Sequence, residues 1–567
     1  MTQKHISRRT ALSLGAMLSA SACTTAASPG LGRLGSAAPD RKNGVFTHGV
    51  ASGDPFPESV VLWTRFVPAD GGRANLGWEV AEDEAFERIV AAGETAAGPD
   101  TDYCAKTIAG TLKPGARYWY RFNSLSGVSI AGRTRTAPAR DHQADLTLAL
   151  FACSNLPTGW FNAYAHAACD PDIDLCVHVG DYFYEYAMDR YGADALPGRT
   201  VDPFECVTLP QYYSRYATYR SDPDLQELHR QKPWVMTWDD HDFANDAWMG
   251  GAQNHQPETE GPWETRKAAA IKAFRDWTPT RASSSKVGLL HRTLSWGRLA
   301  DLIVLDSRMV GRTNQMDWRP VLFPALDQSD DAFSRIAWDY YNGPMSDPRR
   351  TILGADQEAW FADRLGDSAA RDIPWQIVIE GSVLGAAVAP PDSDETLAQT
   401  ASEGERKMAH MRARLGAAGL PYDLPLWCGY PEARRRFLDI CARHGRNVLA
   451  LGGETHAGWA FNLPGGKDGR PACVEAAAFA VASSGKARGG ALIKGERESA
   501  YRASSPEIGW CNLAECGYTR IHVTETQSAA DWIGFNDLTN RDCPPTSVER
   551  TVSEATQAHG ASAWSPA

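Results

Sequence analysis

The chain has 567 residues, more than one ordinary domain holds, so two or more folding units are expected. Hydrophobic residues make up 43% and charged residues 22%, which excludes a disordered chain. The net charge of -12 excludes a surface built to coat nucleic acid, and no stable nucleic-acid complex is expected. An anionic substrate stays open, because bound cations reverse a local field.

Lys4, Arg8 and Arg9 precede an apolar stretch of small residues from Ala11 to Ala22, too short to span a bilayer. Residues 1–28 therefore read as a signal peptide. Ser7-Arg8-Arg9 points to the twin-arginine export machinery, although Ala11 stands where such signals usually carry Phe. The expected location is periplasmic, attached to the outer membrane, or secreted. Cys23 follows Ala20-Ser21-Ala22 and leaves two outcomes open: lipidation with membrane attachment, or simple cleavage nearby. In an oxidising compartment Cys511 with Cys516 is a candidate local bridge, with scattered buried thiols as the alternative.

From residue 42 to 140 short strands alternate with turns. Ser59–Arg65 is one strand, Leu112-Lys113-Pro114-Gly115 a turn, and Arg117–Phe122 alternates as a half-buried strand does. A small β-sandwich of about 100 residues fits this spacing. From 145 to 535 apolar strands alternate with helices. The strands are Leu146–Phe151, Leu175–Val179, Trp234–Trp238, Leu302–Leu305, Ile377–Ile379 and Val448–Leu451. Thr265–Trp277 and Pro431–His444 carry helical spacing. Strands this apolar are covered on both faces, so the class is α/β. Residues 536–567, rich in Ser, Thr, Ala and Pro, read as a tail.

Most of these strands run into polar residues. Phe151 leads to Cys153; Val179 to Gly180-Asp181-Tyr182-Phe183-Tyr184-Glu185; Trp238 to Asp239-Asp240-His241-Asp242; Leu305 to Asp306-Ser307-Arg308; Leu451 to Gly452-Gly453-Glu454-Thr455-His456. Carboxyl ends of strands are where α/β proteins place ligands. Asp181, Asp240 and Glu454 offer hard oxygens, His241 and His456 imidazole, Cys153 a thiolate and Tyr184 a phenolate. The mixed donors suit a transition metal, and the surplus of carboxylates suits a Ca²⁺ or Mg²⁺ beside it. Taken singly, a Gly-Asp pair is a turn, a lone His a hydrogen-bonded structural group, and Cys153 a buried thiol. The Asp239–Asp242 cluster is costly to keep without a cation.

These motifs resemble the alkaline phosphatase D (PhoD-like) family of metallophosphoesterases. The resemblance begins at Gly49-Val50-Ala51-Ser52-Gly53-Asp54-Pro55 and Leu62-Trp63-Thr64-Arg65. It continues through the strand-end motifs, the Gly250–Glu258 stretch and Leu353-Gly354-Ala355-Asp356-Gln357, and runs from about 46 to about 535. It implies a fibronectin-like β-sandwich before a metallophosphoesterase α/β/β/α sandwich, and a cofactor set of iron with one or two calcium ions. By position it puts Cys153, Asp181, Tyr184 and His456 on or near the iron, with Asp181 bridging. Asp240, chosen over Asp239, would serve the neighbouring metal, and His241 would touch the phosphate or leaving group. The family carries Asp where this chain has Glu454, and Ser154-Asn155 after Cys153 and Glu380-Gly381-Ser382 after the penultimate strand also differ from its pattern.

The implied activity is hydrolysis of a small-molecule or lipid phosphoester by a water that the metals acidify. Arg308 has two readings, a bidentate grip on phosphate or a structural ion pair. The rival functions are a phospholipase D-like phosphodiesterase, a non-catalytic extracytoplasmic protein that keeps the fold, and a carboxylate-rich oxidase.

Overall fold

The computed structural model describes residues 44–191, 195–281, 290–391, 402–483, 495–555 and 561–566. The expected export signal, with its twin-arginine reading, and Cys23 lie outside these residues. No helix among the described residues is long and apolar enough to cross a membrane.

Two sheets lie face to face. Among the described residues the first has eleven strands, with Leu146–Ser154, Leu175–His178 and Pro233–Met236 paired in parallel at its centre. The second has seven, with Ala300–Val304, Trp375–Ile379, Val448–Gly452 and Cys473–Ala477 running parallel. Alternation along the second sheet sorts its side chains. Leu302, Val304, Ile377, Ile379, Leu449 and Leu451 join the core shared with the first sheet. Ile303, Leu305, Val378 and Ala450 join a core capped by the helices Gly354–Ala370 and Pro431–His444. Helices Asn162–Cys169, Leu209–Arg220 and Trp263–Trp277 contribute side chains to the first core. The architecture is the α/β/β/α sandwich implied above.

The N-terminal sandwich forms around Val50, Val60, Leu62, Trp78, Val80, Tyr120 and Phe122. One feature departs from the expected separation of units. Val45–Phe56 pairs in parallel with Pro233–Met236, Ser52 opposite Pro233 and Gly53 opposite Trp234. One face of the sandwich is thus an extension of the first large sheet.

The reading of 536–567 as a tail needs correction, since Ser547–Glu554 pairs antiparallel with Gln527–Phe535 across eight residues. Its buried face is carried by the polar Thr551 and Ser553, which a loop-like composition hides. The Cys511–Cys516 bridge is also corrected. Cys511 lies in a strand of the second sheet and Cys516 in one of the first, and their thiols donate to the carbonyls of Glu498 and Ser483 respectively. Closeness in sequence does not bring two side chains together when the chain changes sheet between them.

Glu475 is buried in the second sheet. Burial pushes its carboxyl up from 4.5 to about 7, although the backbone N–H groups of Leu384 and Gly385 donate to it. The folded chain therefore keeps a proton that the unfolded chain releases, and stability falls as pH rises from about 4.5 to about 7, by about 3 kcal/mol in all. Glu475→Gln is expected to flatten this part of the stability profile. Parallel denaturation profiles for wild type and variant over that range would exclude Glu475 as its source.

Candidate metal centre

The strand ends converge as their positions suggested, and their backbone is strained. Cys153, Asp181, Glu454 and His456 have φ of 55°, 51°, 73° and 58°, the left-handed region uncommon for residues with side chains. Such strain persists only where the surroundings over-determine it, and it concentrates at functional sites. Here the surroundings are specific. Asp242 Oδ2 accepts the backbone N–H of Asp239 at 2.8 Å and of Asp181 at 2.9 Å, tying two strand ends together. Gly180 has φ 113°, and a Cβ there would lie 2.3 Å from the Asp239 nitrogen. A Cβ on Gly381 would lie 2.6 Å from Asp239 Oδ1. Only glycine lets these turns close on Asp239.

Among the described residues three sets of donor atoms result, each set lying within 4.8 Å: Cys153, Asp181 and His456; Asp181, Asp240 and His241; Asp181, Asp239, Asp240 and Glu454. Asp181 belongs to all three. The Tyr184 hydroxyl lies 2.9 Å from His456 Nε2 and 3.5 Å from Asp181 Oδ2, beside the first set. Every metal-site residue expected from the sequence is therefore in or against one cluster. Asp239 was passed over, and the structure puts it beside Asp240 rather than in competition with it.

The cluster is short of positive charge. Burial pushes the Asp181 carboxyl well above its usual range; His241 opposes this, while Asp240, Asp239 and Asp242 reinforce it. Burial likewise raises Glu454, against Arg308, and raises Cys153 and Tyr184, which face neighbouring anionic groups. Asp240 alone is drawn down, to about 2, because Arg308 and His241 outweigh its burial. Asp239 Oδ2 and Asp242 Oδ1 are buried without a hydrogen-bond partner. Unpaired buried carboxylate oxygens are expensive, and cations relieve that cost. The all-carboxylate set fits a hard, oxygen-preferring cation, and the set with Cys153 and His456 fits a transition metal.

His241 is held from two sides. Its Nδ1 lies 2.7 Å from Glu185 Oε2, and its backbone N–H donates to Asp181 Oδ1 at 3.2 Å. Glu185 is fully buried and takes two further hydrogen bonds, from the Asn245 N–H at 2.7 Å and Asn254 Nδ2 at 2.9 Å. Burial disfavours the imidazolium, but Asp240, Glu185 and Asp181 outweigh it and hold the His241 pKa well above 6.5. Glu185 and Asp242 were missed as site-building residues. Both stood inside the strand-end motifs, but only their hydrogen-bond partners reveal their work.

Arg308 takes the ion-pair side of its two readings. It is fully buried; its Nε donates to Asp239 Oδ1 and its Nη2 to Glu454 Oε2, and Nη2 lies 3.8 Å from Asp240 Oδ1. It neutralises carboxylates rather than standing open for phosphate. Asp306 Oδ1 holds the start of its turn through the N–H groups of Arg308 and Met309, and Gln357 brackets Asp306 with two hydrogen bonds.

The family model for "PhoD-like phosphatase" matches residues 148–532, and that for its N-terminal domain matches 33–138. The chain is 33% identical over 516 residues to alkaline phosphatase D of Bacillus subtilis (strain 168), covering 88% of this chain and 78% of that protein. The solved structure of PhoD superposes with a TM-score of 0.73 at 30% identity, covering 92% of each chain. With ordered motifs, fold and donor cluster in agreement, the chain belongs to the PhoD-like phosphatase family of metal-dependent phosphoester hydrolases.

Proposed function

We propose that this protein hydrolyses organic phosphoesters at the cluster centred on Asp181, releasing phosphate or a phosphomonoester. The observation that carries the reading is the sharing of Asp181 among three donor sets, which suits a carboxylate bridging two cations. In this reading iron is held by Cys153, Asp181, Tyr184 and His456, and calcium by Asp181, Asp239, Asp240 and Glu454. Glu454 stays among the donors despite replacing the family's Asp, which speaks against a non-catalytic role. Metals so bound supply Lewis acidity to the phosphoester and to water. The chain's own part is positional. Arg308 fixes Asp239 and Glu454, Asp242 ties the turns, and Glu185 orients His241 and keeps its proton for the leaving oxygen. Export through the twin-arginine machinery, with attachment if Cys23 is lipidated, completes the proposal.

The test is nitrophenol release from nitrophenyl mono- and diesters, with iron and calcium measured on the same sample. Release that depends on both metals is the expected result, and a metal-loaded protein inert on both esters would overturn it. Cys153→Ser is expected to bleach or shift a tyrosinate-to-iron absorption band. An unchanged band and metal content would remove Cys153 from the site.

A further inference from the structure

A groove of about 640 Å³ opens beside the cluster. The volume is that of a site for a small organic group. Trp248 and Trp263 reach it from the segment that follows the Asp239–Asp242 turn; Met316, Met408, Met411 and Tyr422 reach it from a helical block. That block has its own core of Trp318, Leu322, Phe333, Met411 and Leu415, and includes the helices Asp330–Tyr340 and Glu403–Ala417. The groove is thus walled by structured elements.

One contact joins it to the cluster, and a second braces that contact from within the groove. Asp246 lines the groove, and its backbone N–H donates to Asp240 Oδ2. Gln315, also on the groove, donates from Nε2 to the Asp246 carbonyl at 2.9 Å, while its Oε1 is buried without a partner. The tryptophans are fixed. A Cβ on Gly250 would lie 2.6 Å from the Trp248 ring, and Trp263 Nε1 donates to the Met249 carbonyl at 3.2 Å. The charge of the lining is acidic: Asp246, Asp317 and Asp423 stand against Arg319, which Asp317 already pairs at 2.8 Å.

We propose that this groove receives the alcohol arm of the phosphoester, and that the preferred arm is bulky and apolar, with no negative charge of its own. Fixed indoles and adaptable thioethers reward burial of an apolar arm. The acidic lining repels a second phosphate, so nucleotide-like and polyphosphate arms are excluded by the same surface. The proposal rests on the phosphoester reading above and adds the substrate class to it.

The experiment uses the full metal-loaded protein. Phosphate release is measured from 2-naphthyl phosphate, methyl phosphate and pyrophosphate, in wild type, Trp248→Ala and Met408→Glu. The expected result is a naphthyl-to-methyl ratio of kcat/KM that falls about tenfold in each variant, with pyrophosphate a poorer substrate than naphthyl phosphate for wild type. A ratio unchanged in both variants, or pyrophosphate preferred by wild type, would overturn the groove assignment while leaving the phosphoester reading intact. If wild type releases no phosphate from any of the three, the monoesterase form of that reading fails, the diester assay above decides the rest of it, and titration with 2-naphthylphosphonate decides the groove. Weaker binding in the variants sustains it, and equal binding overturns it. Met408→Glu guards against a folding defect from loss of the Trp248 ring.

Discussion

Asp181→Asn is expected to remove metal and turnover together. The substitution keeps size and shape but not charge, and Asp181 supplies an oxygen to all three donor sets. Its oxygens also receive the His241 N–H, the Cys153 thiol and the Tyr184 hydroxyl, so an amide there must turn an N–H toward at least one donor. Loss of both cations takes away several kcal/mol of transition-state stabilisation, so kcat is expected to fall by at least about a thousandfold. Metal analysis and initial rates on one preparation check this. Full metal content with wild-type rates would displace Asp181 from the centre of the mechanism.

His241→Ala is expected to separate what Asp181→Asn combines. If His241 gives its proton to the leaving oxygen, kcat falls by about 10²–10⁴ while metal content stays near that of wild type. Equal loss of metal and rate would make it a ligand or a structural residue. Glu185→Gln provides a milder version, a loss of about 10–100-fold, with a signature in pH. Glu185 helps hold the His241 pKa above 6.5, so losing its charge lets the imidazole release its proton sooner. The alkaline limb of the rate profile should then move toward lower pH. An unmoved limb would assign the proton to another group.

The apolar runs located six central parallel strands of the two sheets because burial on both faces leaves a strong local signature, and the polar residues at their ends marked the cluster; Cys473–Ala477 and the antiparallel neighbours Cys516–Val523 and Gln527–Phe535 carried no such signature. What escaped was long-range. Asp239 and Asp240 read as alternatives because sequence shows two adjacent carboxylates but not that Gly180 and Gly381 make room for Asp239 beside Asp240 in one donor set. Glu185 looked like the end of a motif, since its partners Asn245, Asn254 and His241 lie some 55 to 70 positions away. The strand Ser547–Glu554 escaped because it holds three charged residues in eight and its stabilisation comes from an edge supplied by Gln527–Phe535.

The parallel pairing of Val45–Phe56 with Pro233–Met236 bears on how the chain is born. The first strand synthesised must wait for a partner roughly 180 residues downstream, an interval of about ten to forty seconds at ribosomal speeds. During that time one flank of the growing N-terminal unit is an open edge, competent to pair with another nascent chain. The amino-terminal unit is therefore not a module that can be trimmed away. Removing it would strip the catalytic sheet of a neighbour and leave Pro233–Met236 as a bare border.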